Sequence, residues 1–512
     1  MLGTPLGTAE YVRAKGDKRL TEERLFWEML PKLTDLQCAW LLLLNCAAPR
    51  SNYTSRTVTP SLAGHYAKGH GTGMWQTLVK LLGREDLVDS THTVQAAVTT
   101  LPLRLGGLGL RSASRTSAAA FWASWADALP TLAGKYPDLA RRLCGELESG
   151  NSRAQCLREA AGARATLQHE GFTDCPTWTE LREGAKPPQP GEDGEPGEYK
   201  HGWQFVAASR RETFYREGAL TARLGGAQKA LLDSQAGCCA GVHLTALPLQ
   251  STSKWQPAQL RTLLLRRLRL PLHATDRRCR CGGALDALGD HRTACSTSGV
   301  LQGRAKPQEE AWRQVCREAG ARVRKNVFLR NMNLGPALPQ DDRNLECLAT
   351  GLPLHSGAQF AVDATLVSPL KRNGATLQRH TTRPGYALQE ARKTEERQYP
   401  ELATSNRCIL VVAAMEVGGR WSSEAYNFVV DLARAKAREA PVALRGAAYR
   451  SWVRRWTTLV SVTTLKAYAD TLLHDTAAWT PGCDGYTPTL GQVLGEDAHT
   501  EGPGVSRLGW RR

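Results

Sequence analysis

The chain has 512 residues, enough for two or three domains that each bury a core. Its formal net charge of +17 favours a polyanionic partner, because a basic surface attracts phosphate and releases counterions on binding. Fourteen scattered cysteines and the lack of a signal peptide at Met1 favour a reducing, intracellular compartment over a disulfide scaffold. The longest apolar run, Leu36 to Ala48, is too short to span a bilayer, so no membrane segment is expected.

Residues 1–180 are expected to form a helical region. Apolar residues recur at helical spacing over 20–44, with Asp35 as a candidate N-cap, and again over 74–88. Three glycines between Gly106 and Gly109 then force a turn, and a helix is predicted to restart at Ser112. A phosphate-binding role for these glycines is the weaker interpretation, because the Lys and Ser/Thr of a P-loop are missing.

A linker and a basic region follow. Residues 181–202 are rich in Pro, Gly and acids, which predicts a solvated linker. Residues 203–272 are predicted to be helical and to end in an amphipathic helix over 259–270. The arginines of this helix and of the segment after it are Arg261, Arg266, Arg267, Arg269, Arg278 and Arg280. They form either a solvated helix face or a nucleic-acid-binding stripe, and the adjoining cysteine cluster favours the stripe.

Four metal-ligating residues lie close together within the segment 276–298. They are Cys279, Cys281, His291 and Cys295. Three thiolates and an imidazole are the ligands of a closed, structural Zn²⁺ site, which leaves no coordination position for catalysis. Gly282 and Gly283 allow the backbone to turn sharply around an ion. Asp290 is either a partner that orients His291 or only a turn residue.

Helices and strands alternate from residue 305 onward. The predicted elements are a helix over 309–319, strands over 321–329, 345–349 and 359–367, a helix over 387–397, a strand over 408–417, and helices over 423–437 and 444–473. The fold class is therefore α+β, with a mostly helical N-terminal half, a zinc knuckle and an αβββαβ core within 305–475. The Gly/Pro-rich tail, 476–512, is expected to be loose.

Acidic residues in or near the apolar strands are candidate Mg²⁺ ligands. Asp363 interrupts an apolar strand, where a carboxylate is costly unless it is paired or holds a cation. Glu346 is a second acid, on a neighbouring predicted strand. Asp341 and Asp342 are alternatives to Glu346. Glu416 either joins the same metal shell or caps its strand. In the simplest interpretation of these residues, an arginine pairs with Asp363 and no metal binds.

The order of these segments resembles the C-terminal part of non-LTR retrotransposon polyproteins. It is most similar to the site-specific group, in which a reverse transcriptase is followed by a zinc knuckle and a restriction-like endonuclease. The resemblance rests on the segment Leu101-Pro-Leu-Arg-Leu-Gly-Gly-Leu-Gly-Leu-Arg-Ser-Ala113, the basic helix, the cysteine cluster and the acidic strand pair. It covers about residues 10–475 of the chain.

The resemblance implies a PD-(D/E)XK endonuclease that nicks DNA. It would make Glu346 the first metal-binding acid, Asp363 the second and Lys393, from the following helix, the catalytic lysine. The chain departs from the family motif in two places. Leu345 and Glu346 replace the usual Pro-Asp, and Thr365 stands where simpler members have lysine.

No Tyr-x-Asp-Asp polymerase motif occurs in the sequence, so the palm of a reverse transcriptase is missing. Residues 1–180 would correspond to the thumb and its helical continuation. The expected function is DNA or RNA binding with Mg²⁺-dependent nicking, and a functional protein would be nuclear. The first alternative is an inert nucleic-acid-binding remnant of such a polyprotein. The second is a helical scaffold that binds no DNA.

Overall fold

The computed structural model describes residues 4–188, 202–272, 278–279, 281–298, 300–332 and 340–473. Most of the predicted linker, Arg280 and the predicted tail lie outside these residues. The described part is α+β, mostly helical with a small mixed sheet.

The N-terminal region is helical, as predicted. Its helices are α1 (Ala9–Met29), α2 (Leu36–Leu42), α3 (Ser51–Thr57), α4 (Pro60–Leu81), α5 (Val94–Thr100), α6 (Ala113–Lys135), α7 (Pro137–Ser149), α8 (Gln155–His169) and α9 (Trp178–Arg182). The predicted helix over 20–44 is divided at Pro31 between α1 and α2. Asp35 caps α2 by accepting from the Cys38 N–H at 3.0 Å, and Ser112 caps α6 in the same way, so both predicted starts are confirmed.

The glycines in the turn before α6 allow its backbone to pack closely against itself. Gly106 and Gly109 have φ of +93° and +81°, which residues with a Cβ rarely adopt. A Cβ on Gly107 would lie 2.2 Å from the carbonyl oxygen of Leu101. The backbone therefore closes tightly on itself here.

A second core lies within the N-terminal half and includes residues from both sides of the predicted linker. The helices after the linker are α10 (Trp203–Tyr215), α11 (Gly226–Ser234), α12 (Pro257–Arg267) and α13 (Asp290–Ala294). The Trp122 ring meets Trp178 and Trp203 with ring centroids 6.4 and 5.7 Å apart. Leu181 is fully buried within α9, so the predicted linker begins a few residues too early.

The sheet lies in the C-terminal half of the chain. Its elements are α14 (Val300–Glu318), β1 (Arg322–Arg324), β2 (Val327–Phe328), β3 (Asn344–Leu345), β4 (Cys347–Thr350), β5 (Gln359–Val367), α15 (Gln378–Thr382), α16 (Tyr386–Gln398), α17 (Pro400–Ala403), β6 (Cys408–Glu416), α18 (Ser423–Ala437) and α19 (Arg445–Leu473). The four-stranded sheet has the order β1-β4-β5-β6, and β2 pairs with β3 separately.

The predicted order of helices and strands is observed. The first three strands of the sheet are antiparallel, and β6 runs parallel to β5 after the helical crossover through α15, α16 and α17. Two predicted strands are each divided in two. Asn326, with φ of +51°, separates β1 from β2, and a bend at Glu346 separates β3 from β4.

Side chains of β5 alternate between the two faces of the sheet. Phe360 packs toward α14, α18 and α19, with its ring 5.3 Å from that of Phe428. Ala361 faces the opposite side, against α16 and α17. The first face belongs to a large core that also contains Trp40 of α2 and Leu264 of α12. The predicted segments 1–180, 203–272 and 305–475 therefore share one continuous core.

Candidate functional site

Two of the predicted acids lie opposite one another across neighbouring strands. The β4–β5 register pairs Cys347 with Val362, so one step further along the antiparallel ladder places Glu346 opposite Asp363. The N–H of Ala364 donates to Glu346 Oε2 at 3.4 Å, which holds this carboxylate against β5. The bend at Glu346 turns its side chain toward this strand.

Two further acids reach the same place from helices on both faces of the sheet. Glu395 of α16 is hydrogen-bonded to Asp363 through their carboxyl groups. Glu309 of α14 lies close enough to raise the pKa of both Glu346 and Asp363 by its charge. These four residues, Glu309, Glu346, Asp363 and Glu395, are called the acid cluster below.

The pKa values of Glu346, Asp363 and Glu395 are all raised above those of ordinary carboxyl groups. Burial, and then the charges of Glu346 and Glu395, raise the pKa of Asp363 to about 8. Burial and the charge of Glu309 raise the pKa of Glu346 to about 7. Burial also raises the pKa of Glu395, whose hydrogen bond with Asp363 needs a shared proton. A bound cation would replace these protons.

Among the described residues, Arg313 is the basic side chain that contacts Glu309 and Glu346 of the acid cluster. Arg313 is 3.4 Å from a carboxylate oxygen of Glu309 and donates to the carbonyl oxygen of Glu346 at 2.9 Å. Its charge lowers the pKa of Glu346, but less than burial raises it. The predicted pairing of Asp363 with an arginine is not among its described contacts. The four members of the acid cluster offer carboxylate oxygens, the type of ligand that a hard divalent cation such as Mg²⁺ takes.

Lys393 lies on α16, two residues before Glu395, and is exposed. Residues two apart on an α-helix leave it about 200° apart. Glu395 faces Asp363, so Lys393 leaves the helix on the solvent side. The structure thus brings Glu346 and Asp363 together but places Glu395, rather than Lys393, against them. A catalytic role for Lys393 stays a prediction.

The alternative acids have other partners. Asp341 forms an ion pair with Arg343 at 2.6 Å. Asp342 is exposed and lies 2.9 Å from an Arg330 nitrogen. These contacts order the loop before β3, so neither acid replaces Glu346 in the acid cluster.

Glu416 belongs to the end of its strand. In the β5–β6 register Asp363 faces Val412, and Glu416 lies four residues further on, about 13 Å away along the strand. Its N–H donates to the carbonyl of Arg420 at 2.8 Å, and its carboxylate lies 3.6 Å from the Arg420 Nε. Burial raises its pKa to about 7. This geometry favours the strand-end interpretation over membership of the acid cluster.

The four residues of the predicted knuckle converge on one point. Their ligand atoms, from Cys279, Cys281, His291 and Cys295, all lie within 4.8 Å of one another. The Cys279 and Cys295 sulfurs are 3.8 Å apart, and the Cys281 sulfur is 3.2 Å from His291 Nε2. Two sulfurs on a tetrahedral Zn²⁺ at ~2.3 Å would be roughly 3.8 Å apart. The cluster therefore fits a metal ion such as Zn²⁺.

Glycine is needed where the knuckle closes. The Cys279 N–H donates to the Gly283 carbonyl at 2.8 Å, which turns the chain back between the two cysteines. A Cβ on Gly283 would lie 2.6 Å from His291 Cε1 and 3.4 Å from the Cys281 sulfur. The predicted sharp turn around an ion is thus matched by the close approach of backbone and imidazole.

Asp290 connects the knuckle to α12. Its carboxylate lies 2.5 Å from a nitrogen of Arg266 and 2.9 Å from one of Arg269, and only 3% of the residue is exposed. Asp290 therefore does not orient the imidazole of His291, and it is more than a turn residue. Thr293 adds a second contact, a 3.0 Å hydrogen bond with the Tyr468 hydroxyl of α19.

The predicted phosphate-contacting role is wrong for Arg266 and Arg267, because both are in the interior. They are 5% and 6% exposed. The Arg267 guanidinium donates only to backbone carbonyls among its described contacts, those of Leu103, Gly107, Gln235, Ala240 and Gly418, at 3.0 to 3.4 Å. Burial lowers its pKa to about 9. Arg267 thus joins three distant segments of the chain.

The other predicted arginines differ in their surroundings. Arg269 forms an ion pair with Asp290, and its side chain is 15% exposed. Arg261 is half-buried on α12. Arg278 is exposed and donates to the Gly282 carbonyl at 3.1 Å. Of the described members of the predicted stripe, only Arg278 is exposed, and Arg266 and Arg267 of α12 belong to the core.

Replacement of Arg267 by methionine is expected to lower the free energy of unfolding by about 3–5 kcal/mol. Buried carbonyls that lose a donor each cost about 1–3 kcal/mol, and methionine recovers only part of this through packing. Urea unfolding followed by circular dichroism measures the change. The control is Arg278→Met on the surface, which should unfold like the parent chain. Equal stability of the two variants would show that the buried guanidinium contributes nothing.

The described helices include none that is both long enough and apolar enough to cross a membrane. No protein-family model matches the chain, and no curated protein matches it either.

Proposed function

We propose that this chain is a nucleic-acid-binding endonuclease that nicks DNA with a divalent cation held by Glu346 and Asp363. The observation that carries the proposal is that four carboxylates meet at one place in the fold. In this fold a helix, three antiparallel strands, a crossover helix and a parallel strand follow one another along the chain. This order is the one expected for a PD-(D/E)XK core, which supports the retrotransposon resemblance.

Each member of the acid cluster has a defined task in this proposal. Glu346 and Asp363 bind the cation from adjacent strands. Glu395 accepts or releases the proton that it shares with Asp363 as the cation enters or leaves. Glu309 adds negative charge and is held in place by Arg313. When bound, Mg²⁺ would neutralise the scissile phosphate and lower the pKa of an attacking water.

Charge and the knuckle support a nucleic-acid substrate. The net charge of +17 attracts a phosphate backbone, and the folded knuckle fixes the segment around Arg278 on the surface. A Zn²⁺ ion in the knuckle would act only in this structural way, because all four positions are taken by protein ligands.

An inert nucleic-acid-binding remnant is the second candidate, and the position of Lys393 favours it. A PD-(D/E)XK enzyme of this group would need an amine at the metal site, whereas Lys393 is exposed on the solvent side of α16. The two candidates differ in one measurement. Purified chain mixed with supercoiled plasmid and Mg²⁺ yields open circles if the nuclease is active, and the inert remnant binds the plasmid without cutting it.

The effect of Mg²⁺ on stability is expected to depend strongly on pH. Asp363 and Glu346 have folded-state pKa values of about 8 and 7, above the ordinary range of carboxyl groups. Without metal, the stability that these protonated groups contribute is complete below about pH 4 and is lost as the pH rises through 7 to 8. Added Mg²⁺ should offset this loss, by about 2.7 kcal/mol at one hundred times its Kd.

Thermal unfolding with and without MgCl₂ tests this at about pH 5.5 and about pH 8.5. The Mg²⁺-induced rise in Tm should be near zero at the lower pH and several degrees at the higher one. In Asp363→Asn the rise should be small at both values. A rise in the parent chain that is equal at both pH values would mean that Mg²⁺ binds elsewhere.

A further inference from the structure

An open groove of about 960 Å³ lies between residues 242–253 and the first half of α19. We call it the α19 groove. The helices α18 and α19 cover the face of the sheet that carries Phe360, whereas Asp363 lies on the other face toward α16. The α19 groove is therefore distinct from the acid cluster. The lining residues that matter here are Leu247, Leu249, Tyr426, Tyr449, Arg450 and Arg454.

The charged residues that are described in the lining of the α19 groove are all basic. Arg450, Arg454 and Arg455 line it, and none of its described lining residues is acidic. Arg450 and Arg454 are exposed and lie four residues apart on α19, about 6 Å along the helix axis. Two cations that repeat along a concave surface complement a chain of phosphates.

Rings and exposed leucines accompany these cations. The half-buried Tyr426 forms part of the helical wall, and Tyr449 behind it belongs to the core, at 9% exposure. Leu247 and Leu249 on the facing segment are 46% and 82% exposed, a large apolar exposure for a protein surface. Planar and apolar side chains beside arginines provide contacts for the faces of unstacked bases. In a duplex those faces are covered by neighbouring base pairs, so this lining suits a single strand.

The wall of the α19 groove is held rigidly. Arg455 donates to both carboxylate oxygens of Glu318 of α14, at 2.7 and 2.8 Å, and reaches Gln250 on the facing segment at 3.3 Å. Trp456 donates to the same carboxylate at 2.8 Å. The hydrogen bonds from Arg455 lower the pKa of Glu318 to about 2, so Glu318 stays ionised and keeps its ion pair with Arg455 at neutral pH.

We infer that the α19 groove binds single-stranded nucleic acid, with the phosphates at Arg450 and Arg454 and the bases against Leu249 and the half-buried Tyr426. The inference rests on the proposed function for its ligand class. It adds a separate site, whose described lining includes none of the four acids of the acid cluster, where the strand that is not being cut can be held.

The first test is the affinity of the full chain for labelled oligothymidine longer than the ~4–16 nucleotides that such a site covers. Arg450→Glu combined with Arg454→Glu should weaken binding at least tenfold and lower the slope of log K against log salt by about 1.4, since each single-strand phosphate contact adds about 0.7. Leu249→Glu should also weaken binding. Arg141→Glu combined with Arg142→Glu, two exposed arginines on α7, makes the same change in net charge and is the control.

The second test locates the strand by cysteine alkylation. Cys238 is exposed and lines the α19 groove, whereas Cys156 is exposed on α8, away from it. Oligothymidine should slow the reaction of Cys238 with iodoacetamide and leave that of Cys156 unchanged. This readout does not depend on any substitution, so a variant that failed to fold would not obscure the result.

Three results would overturn the inference. They are unchanged binding by the double arginine variant, unchanged alkylation of Cys238, and protection of Cys238 by duplex DNA or polyglutamate as strong as that by oligothymidine. Polyglutamate protection would assign the groove to an acidic peptide. Nicking is scored separately. A chain that never nicks but loses binding in the arginine variants refutes the nuclease proposal alone, and one that nicks while those variants bind normally refutes the groove alone.

Discussion

Replacement of Asp363 by asparagine is expected to abolish Mg²⁺-dependent nicking and to leave oligonucleotide binding unchanged. Asp363 is the acid with the most strongly raised pKa in the cluster, and the other three members approach it from the bend before β4 and from two helices, α14 and α16. Loss of one metal-binding carboxylate removes several kcal/mol of charge stabilisation, roughly a 1,000-fold or larger fall in rate. The measurement is the rate of conversion of supercoiled to open-circular plasmid.

The same variant should be more stable than the parent chain without metal above about pH 8. An amide has the shape of the carboxylate but no charge to bury beside Glu346 and Glu395, whereas the parent must ionise Asp363 there. An inactive variant with raised Tm is the signature of an acid kept for metal binding. A variant that is inactive and less stable would indicate a merely structural Asp363.

Two further variants are compared with Asp363→Asn in this experiment. Asp342→Asn removes an exposed carboxylate outside the acid cluster and should nick like the parent. Lys393→Ala tests the catalytic lysine implied by the resemblance. A loss as large as that of Asp363→Asn would assign it to catalysis despite its exposure. Parental activity in both Asp363→Asn and Lys393→Ala would refute the nuclease proposal.

Removal of the knuckle metal is expected to cause the largest loss of stability. Zn²⁺ binding contributes about 10–16 kcal/mol in isolated zinc-finger peptides, more than the ~5–15 kcal/mol that holds a typical domain together. Cys295→Ala removes a ligand that is 1% exposed. Unfolding of the knuckle would also withdraw Asp290 from Arg266 and leave a buried guanidinium without its carboxylate. The damage should therefore extend into the core around α12.

Native mass spectrometry and thermal unfolding measure both effects. The parent chain should carry one Zn²⁺ and lose much of its Tm on treatment with a strong chelator, and Cys295→Ala should carry none. Cys156→Ser, an exposed cysteine outside the knuckle, is the matched control and should keep its Zn²⁺ and its Tm. A parent chain without zinc, and with the same Tm in chelator, would mean that the four residues are only packed thiols and an imidazole.

Local pattern predicted most of the elements. The strand β5 and the helix α18 have the bounds expected from apolar alternation and helical spacing. Prediction failed where a distant part of the chain decides the outcome. Arg267 sits in an amphipathic pattern that resembles a surface stripe, but its partners are carbonyls up to 164 residues away, which no local pattern can reveal.

Two of the four residues of the acid cluster were predicted from the sequence, and two were not. Asp363 was predicted because it is an acid within an apolar strand, and Glu346 was chosen through the resemblance. Glu309 and Glu395 lie in predicted helices and were not predicted as site residues. A signal for Glu395 was present, since it lies one helical turn after the buried Ala391 and so continues the inner row of α16. Lys393, chosen through the resemblance, falls outside that row.

The five carbonyls around Arg267 also constrain how the chain can be divided. The guanidinium lies on α12, yet it is satisfied only when the turn at Gly107 and the loop at Gly418, on opposite ends of the polypeptide, have both arrived. During synthesis the Arg267 guanidinium therefore gains all of these partners only after Gly418 has been made. A fragment that begins after α12 would lack Arg267, so the C-terminal half should be expressed together with the residues that precede it.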